Sequence, residues 1–226
     1  MPPMCGIVGM VDFRGREIDA SLLSRMTEAI AHRGPDGTAI HTTRCGPCTV
    51  GLGHARLAVI DTSARADQPM AARRRPETSE ATPPDSEARC WIVFNGEIYN
   101  YRQLRRELVA LGARFRTQSD TEVLLRAYLE WGEAAFERFN GMWALALVDQ
   151  HRGTGLLSRD RFGIKPLYYV WREGRLSFAS EMRPLLMLPE VPRQIDPRGL
   201  DFYLRLGYLP HQHSLVAGVR KLPPGH

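Results

Sequence analysis

The chain has 226 residues, 43% of them hydrophobic, with 30 Lys and Arg against 25 Asp and Glu and a formal net charge of +5. That length suits one large domain with a substantial core, and no run of about twenty apolar residues is present to cross a membrane. The positive excess is arginine scattered among acidic residues, with Lys165 and Lys221 the two lysines, so it reads as solvated surface and not as a nucleic-acid stripe.

The first residues lack the basic-then-apolar pattern of a secretory signal, and a cytoplasmic location is expected. Residues 5–12, Cys-Gly-Ile-Val-Gly-Met-Val-Asp, read as a strand. Asp19 through Ile30 reads as a helix with Leu22, Leu23, Met26 and Ile30 on one face and Asp19 as its cap. His32-Arg33-Gly34-Pro35-Asp36-Gly37 breaks regular structure, and residues 49–61 are strand-rich. Between them, Cys45-Gly46-Pro47-Cys48 has the spacing of a redox site. It leads into a glycine-containing strand pattern and not into a helix, so it is expected to be a hairpin loop. Residues 71–89 hold Pro76, Pro83 and Pro84 among charged and small residues and read as a flexible surface insertion.

Cys90-Trp91-Ile92-Val93-Phe94 is a dense apolar strand expected to end at Asn95-Gly96. A helix comes next over 100–111 through Leu104, Leu108 and Leu111. Ser119 and Glu122 form a capping box for a second helix, which carries Val123, Leu124, Ala127 and Tyr128. Residues 142–149 and 155–158 read as a hairpin around Gln150-His151-Arg152-Gly153. Short strands at 167–171 and 175–179 precede a helix near Ser180. Strands come in hairpin groups with helices between them, which argues for antiparallel sheets covered by helices and not for a doubly wound parallel sheet.

Cys5 holds the chemistry with the sharpest physical rationale. A cysteine exposed as a first residue carries a nucleophilic thiol and, on the same residue, an α-amine with a reference pKa of about 8 that can take its proton. Alone, Cys5 reads more readily as a small buried residue at a strand start, and Asn95-Gly96 as a hairpin turn.

Taken together, Cys5-Gly6-Ile7-Val8-Gly9, the His32–Gly37 stretch, Asn95-Gly96-Glu97-Ile98-Tyr99-Asn100 and Arg159-Asp160-Arg161-Phe162-Gly163-Ile164-Lys165-Pro166-Leu167-Tyr168-Tyr169 change that balance. The chain resembles the class II glutamine amidotransferase domain of glutamine-hydrolysing asparagine synthetases, which are N-terminal nucleophile hydrolases. The likeness runs from Cys5 to the end, as one domain over 5–226. The resemblance implies an α+β fold, a four-layer αββα sandwich of two mainly antiparallel sheets flanked by helices. It also implies hydrolysis of glutamine to glutamate and ammonia, with Cys5 as nucleophile and Asn95 and the Gly96 N–H as oxyanion hole. Arg56 matches the binder of the substrate carboxylate, Val59 and Ile60 offer backbone contacts, and Asp120 with Glu97 meets the α-ammonium. Ser119 is expected to do the capping and leave Asp120 to the ligand. Arg33, Asp36, Arg159 and Asp160 are expected to hold loops by ion pairs.

No cofactor or metal is expected in this domain. ATP and Mg belong to a synthetase domain not in this chain, toward which residues 197–226 are expected to lead. That domain, or a partner chain carrying it, is the expected partner, a homodimer is left open, and neither nucleic acid nor membrane is expected. Pro2-Pro3-Met4 stand before Cys5, so either synthesis begins at Met4 or a short leader is removed. Two alternatives stand beside the leading reading: the same glutaminase chemistry feeding another acceptor, and a non-catalytic scaffold.

Overall fold

The computed structural model describes residues 4–73, 90–210 and 212–226. Strand β1 (Gly6–Asp12) is followed by helix α1 (Ala20–Glu28). The Asp19 carboxylate caps α1 by accepting the Leu22 N–H at 3.0 Å, and Leu23, Met26 and Ile30 are buried. β2 (Gly37–Cys45) and β3 (Cys48–Arg56) form a hairpin in which Cys45 pairs with Cys48 across Gly46-Pro47. The cysteine pair is thus a hairpin tip, as expected, and its thiols are not disulfide-bonded.

β3 ends at Arg56, short of the strand-rich span read from the sequence. Beyond it the Ala58 N–H donates to Asp36 Oδ2 at 2.8 Å, and the side chain of Asp61 accepts the sequence-distant Gln118 N–H at 2.7 Å. β4 (Met70–Ala72) pairs with β5 (Cys90–Ile98). Ala71 and Ala72 therefore belong to a sheet and not to the expected insertion, whose residues 74–89 lie outside the described residues.

The remaining elements are α2 (Tyr101–Ala110), α3 (Asp120–Trp131), α4 (Ala135–Arg138), β6 (Gly141–Asp149), β7 (Thr154–Arg159), β8 (Tyr168–Arg172), β9 (Arg175–Ala179), α5 (Met182–Leu185), α6 (Pro197–Leu206) and β10 (Arg220–Lys221). One sheet runs β10-β8-β9-β1-β3-β2 and the other β4-β5-β6-β7. Every named strand pair among the described residues is antiparallel.

Period-two alternation divides each strand between two cores. On β5, Cys90, Ile92, Phe94 and Ile98 pack with Leu104, Leu108, Val123 and Leu124 of α2 and α3. Trp91 and Val93 face the other sheet, where they meet Ile7, Val50, Leu52 and Phe178. A third cluster joins Val8 and Met10 to Leu23, Met26 and Ile30 around α1 and to Leu185 of α5. Three cores between four layers make the expected αββα sandwich.

Two helical details depart from expectation. Leu111 lies past the end of α2 and is 57% exposed, whereas Leu104 and Leu108 are buried. Ser119 caps α3 by accepting the Glu122 N–H, but the reciprocal arm of the box goes elsewhere. Glu122 accepts the Arg116 and Thr117 N–H groups, and Ser119 N–H donates to the Thr117 hydroxyl instead.

Leu108 and Leu111 separate core from surface on one short segment. Leu108→Ala is expected to cost about 2–5 kcal/mol in denaturant unfolding, and Leu111→Ala less than about 0.5 kcal/mol.

Candidate active site

Antiparallel pairing of β1 with β3 sets Gly6 opposite Ala55, so Cys5 at the start of one strand lies beside Arg56 at the end of the other. Both line an open cleft of about 230 Å³ at this end of the gap between the sheets. Val59, Ile60, Asn95, Gly96, Glu97 and Asp120 line it too, so all eight residues singled out from the sequence meet in one place. Val59 is exposed and Ile60 half-buried on the loop after Arg56.

Cys5 sits against the backbone of Leu57, whose N–H approaches Sγ at 3.3 Å while the thiol faces the Leu57 carbonyl at 3.5 Å. Burial pushes its pKa up, partly offset by that backbone N–H. The thiol is therefore held protonated until a base removes its proton. Met4 precedes it, anchored by its N–H to the Arg33 carbonyl at 2.7 Å, and also lines the cleft.

Asn95 and Gly96 do not form a turn at the strand end. They lie inside β5, paired with Ala144 and Trp143 of β6. A Cβ on Gly96 would stand 2.1 Å from the Met142 carbonyl oxygen. The close approach of β6 leaves no room for a side chain there. Asn95 is 1% exposed and its Nδ2 has no hydrogen-bond partner. A buried amide donor left unmatched costs about 1–3 kcal/mol, so it is a donor awaiting an acceptor.

Arg56 does not present an empty fork. Its Nη1 is paired with Asp67 and its Nη2 with the Asp61 carbonyl, both at 2.5 Å. A guanidinium has five N–H donors, so it still has hydrogens to offer the cleft while its position is braced. Asp120 is likewise less free than expected. Oδ2 accepts the Ile98 N–H and Oδ1 the Thr121 N–H, each at 3.0 Å. Burial nevertheless dominates and lifts its pKa from 3.8 to about 6, with Glu97 adding repulsion.

The residues expected to be structural brace this cleft mainly through backbone groups and less through ion pairs. Arg33 Nε donates to the Cys5 carbonyl at 3.1 Å, and its Nη1 does pair with Glu181 at 2.9 Å. Arg159 donates to the carbonyls of Gly163, Lys165 and Leu222. The buried Asp160 carboxylate accepts N–H bonds from Trp143, Phe162, Ile164 and Lys165. Gly34 packs so closely on the Ala55–Arg56 backbone that a Cβ there would lie 2.4 Å from the Arg56 carbonyl carbon.

Sequence reasoning passed over His54, Gln68 and Lys165, which also line the cleft. His54 falls in step with Val50 and Leu52 on β3, and a polar residue in an apolar period of two was the available signal. Lys165 is one of two lysines in an arginine-rich chain. Its buried Nζ lies 2.8 Å from Met4 Sδ, a weak acceptor, and burial with Arg33 nearby draws its pKa down. Gln68 carried no signal. No cluster of three or more metal-ligating side chains occurs among the described residues.

Two antiparallel sheets between helix layers, with this cleft at one end of the gap, define an N-terminal nucleophile amidotransferase fold. The same fold occurs in the glutamine phosphoribosylpyrophosphate amidotransferase of B. subtilis, with a TM-score of 0.63 over 81% of this chain and 43% of that one at 21% identity. The chain belongs to the glutamine amidotransferase domain family, whose model matches residues 4–226. It is 36% identical over 97% of its length to a protein described as a putative glutamine-hydrolysing asparagine synthetase 2 of Methanocaldococcus jannaschii, covering 42% of it. It is also 35% and 38% identical to the glutamine-hydrolysing asparagine synthetases 3 and 1 of Bacillus subtilis, covering 34% and 33% of them. The chain thus spans well under half the length of these relatives.

Two perturbed groups of the cleft, Asp120 and His54, give stability opposite slopes with pH. Asp120, raised in the fold, contributes stability that is complete below pH 3.8 and lost as pH rises through about 6. His54, lowered by burial from 6.5 to about 4, contributes stability present above pH 6.5 and lost as pH falls toward 4. Asp120→Asn is therefore expected to remove up to about 3 kcal/mol of the stability difference between pH 4 and pH 8. A pH-independent cost accompanies it, because the amide nitrogen cannot accept one of the two backbone N–H bonds; denaturant unfolding at the two pH values reads both.

Proposed function

We propose that this chain hydrolyses the side-chain amide of glutamine through a glutamyl thioester on Cys5 and supplies ammonia to an ATP-dependent ligase of the asparagine synthetase type. The observation that carries the reading is the partnerless, buried Asn95 amide in the same cleft as the Cys5 thiol. An oxyanion formed beside the thiol would give that donor the acceptor it lacks.

The free α-amine of Cys5 takes the thiol proton as sulfur attacks the amide carbon. The carbonyl oxygen becomes an oxyanion between Asn95 Nδ2 and the Gly96 N–H, two donors fixed before the charge develops. Collapse breaks the C–N bond, and the α-ammonium gives its proton to the leaving nitrogen, releasing ammonia. Water then cleaves the thioester, yielding glutamate and restoring the thiol. Arg56 holds the substrate α-carboxylate, with Val59 and Ile60 contributing backbone, and Asp120 and Glu97 face the α-ammonium. The hydrolysis needs no cofactor. ATP and Mg serve the ligase portion that the longer relatives' names imply, and asparagine as product rests on that portion.

The base is the α-amine, so residues 1–4 must be absent for activity. A chain beginning at Cys5 is expected to release glutamate from glutamine far faster than one beginning at Pro2, whose Cys5 nitrogen is an amide. Equal rates with the leader still present by intact mass would exclude this base. Cys5→Ala is expected to abolish release in either form.

Asn95→Ala is expected to lower kcat by about 10²-fold or more with little change in KM. Arg56→Ala should act mainly on KM, because its partner charge is present in ground and transition states alike. Steady-state glutamate release against glutamine concentration separates the two.

A further inference from the structure

β6 pairs with β5 along its whole length, Cys90–Ile98. On the other side, β4 covers only Cys90–Ile92. From Val93 onward no strand among the described residues lies beside that edge of β5, although it runs through the interior. Backbone groups of alternate residues point to the same edge of a strand, and here these are Phe94, Gly96 and Ile98. Buried N–H and C=O groups require partners, and side chains supply them. Phe94 N–H donates to Gln68 Oε1 at 2.6 Å, and Ile98 N–H donates to Asp120. The Phe94 carbonyl lies 3.2 Å from His54 Nε2. Gly96, between them, turns its N–H to the cleft.

A carbonyl can only accept, so the proton of His54 sits on Nε2. Its Nδ1 is buried without a partner, and desolvation keeps the ring neutral. His54 is thus a fixed donor and not an acid or base. It stands on β3, two residues before Arg56, and reaches across the gap to the opposite sheet. Gln68 is itself held, its Nε2 donating to Thr121 Oγ1 at 3.2 Å on α3. The Phe94 carbonyl and the Asn95 N–H belong to one planar peptide unit. A tilt of that unit re-aims the Asn95 side chain and the next N–H together.

We infer that His54 and Gln68 are positioning residues for glutamine hydrolysis: they replace the missing strand against Phe94 and hold Asn95 and Gly96 where the oxyanion forms. This rests on the oxyanion-hole reading above. Donors displaced by about 1 Å lose about 10²-fold in rate, and they lose it in the transition state, not in substrate binding.

In the chain beginning at Cys5, His54→Leu and Gln68→Met should each lower kcat for glutamate release by about 10–100-fold, with KM within about threefold. His54→Gln, which restores an N–H donor at similar reach, should recover most of the loss. The deciding measurement repeats Gln68→Met and His54→Leu in the Asn95→Ala background. If both act through the hole, their further effect on kcat shrinks there to the part carried by the remaining Gly96 donor. Losses that multiply undiminished would overturn the proposal, as would unchanged kcat in the single variants. Should His54→Leu fail to fold by circular dichroism, Gln68→Met alone completes the cycle. An Asn95→Ala variant with normal kcat would instead overturn the oxyanion-hole reading itself.

Discussion

The pairing of β1 with β3 is the interaction on which the rest of the structure depends. Because the strands are antiparallel and Gly6 lies opposite Ala55, the beginning of one strand meets the end of the other. A nucleophile at the start of the domain and a cation about fifty residues later then need no loop to bring them together. Ladder hydrogen bonds fix both ends, and a slip of one residue would turn Ile7, Val50 and Leu52 out of the core between the sheets. Site geometry and core burial are therefore enforced by the same register.

Where the ladder stops, buried polar side chains complete the pairing. The cleft lies where β3 ends and where β4 and α3 begin, and such termini expose backbone donors and acceptors. Asp36 takes the Ala58 N–H just after Arg56, and Asp61 takes the Gln118 N–H before α3. Over residues 160–165, Asp160 takes the N–H groups and Arg159 donates to the carbonyls. Against this saturation, the Asn95 amide, like His54 Nδ1, is left without a partner. The raised carboxyl of Asp120 reflects the same scarcity of solvent: a charged substrate group would restore the stabilisation that burial removes.

Sequence and structure diverge most at β5. Its dense apolar run was readable, but Asn95-Gly96 has the composition of a turn and lies in mid-strand. Local propensity lost to pairing with β6, which also explains the glycine, since a side chain there would strike the Met142 carbonyl. The capping box at Ser119 was half right for a related reason. Glu122 found three donors on residues 116 and 117, a better set than the single Ser119 N–H. Leu111 fitted the helical period yet fell beyond the last turn of α2, where nothing covers it.

By itself the sequence determined most of the elements in their order, the division of strands into hairpins and, through the resemblance its motifs carry, eight of the residues that line the cleft. Periodicity and caps act over a few residues, and a motif keeps its chemistry wherever it is placed. Only the tertiary structure decided that Arg56 is braced by Asp61 and Asp67, that Asp120 also closes the edge of β5, and that His54 and Gln68 grip Phe94. The His54 and Gln68 contacts join residues 26 to 53 positions apart across two sheets and a helix. They depend on where strands run out of neighbours, and no local pattern in a chain records where a sheet will end.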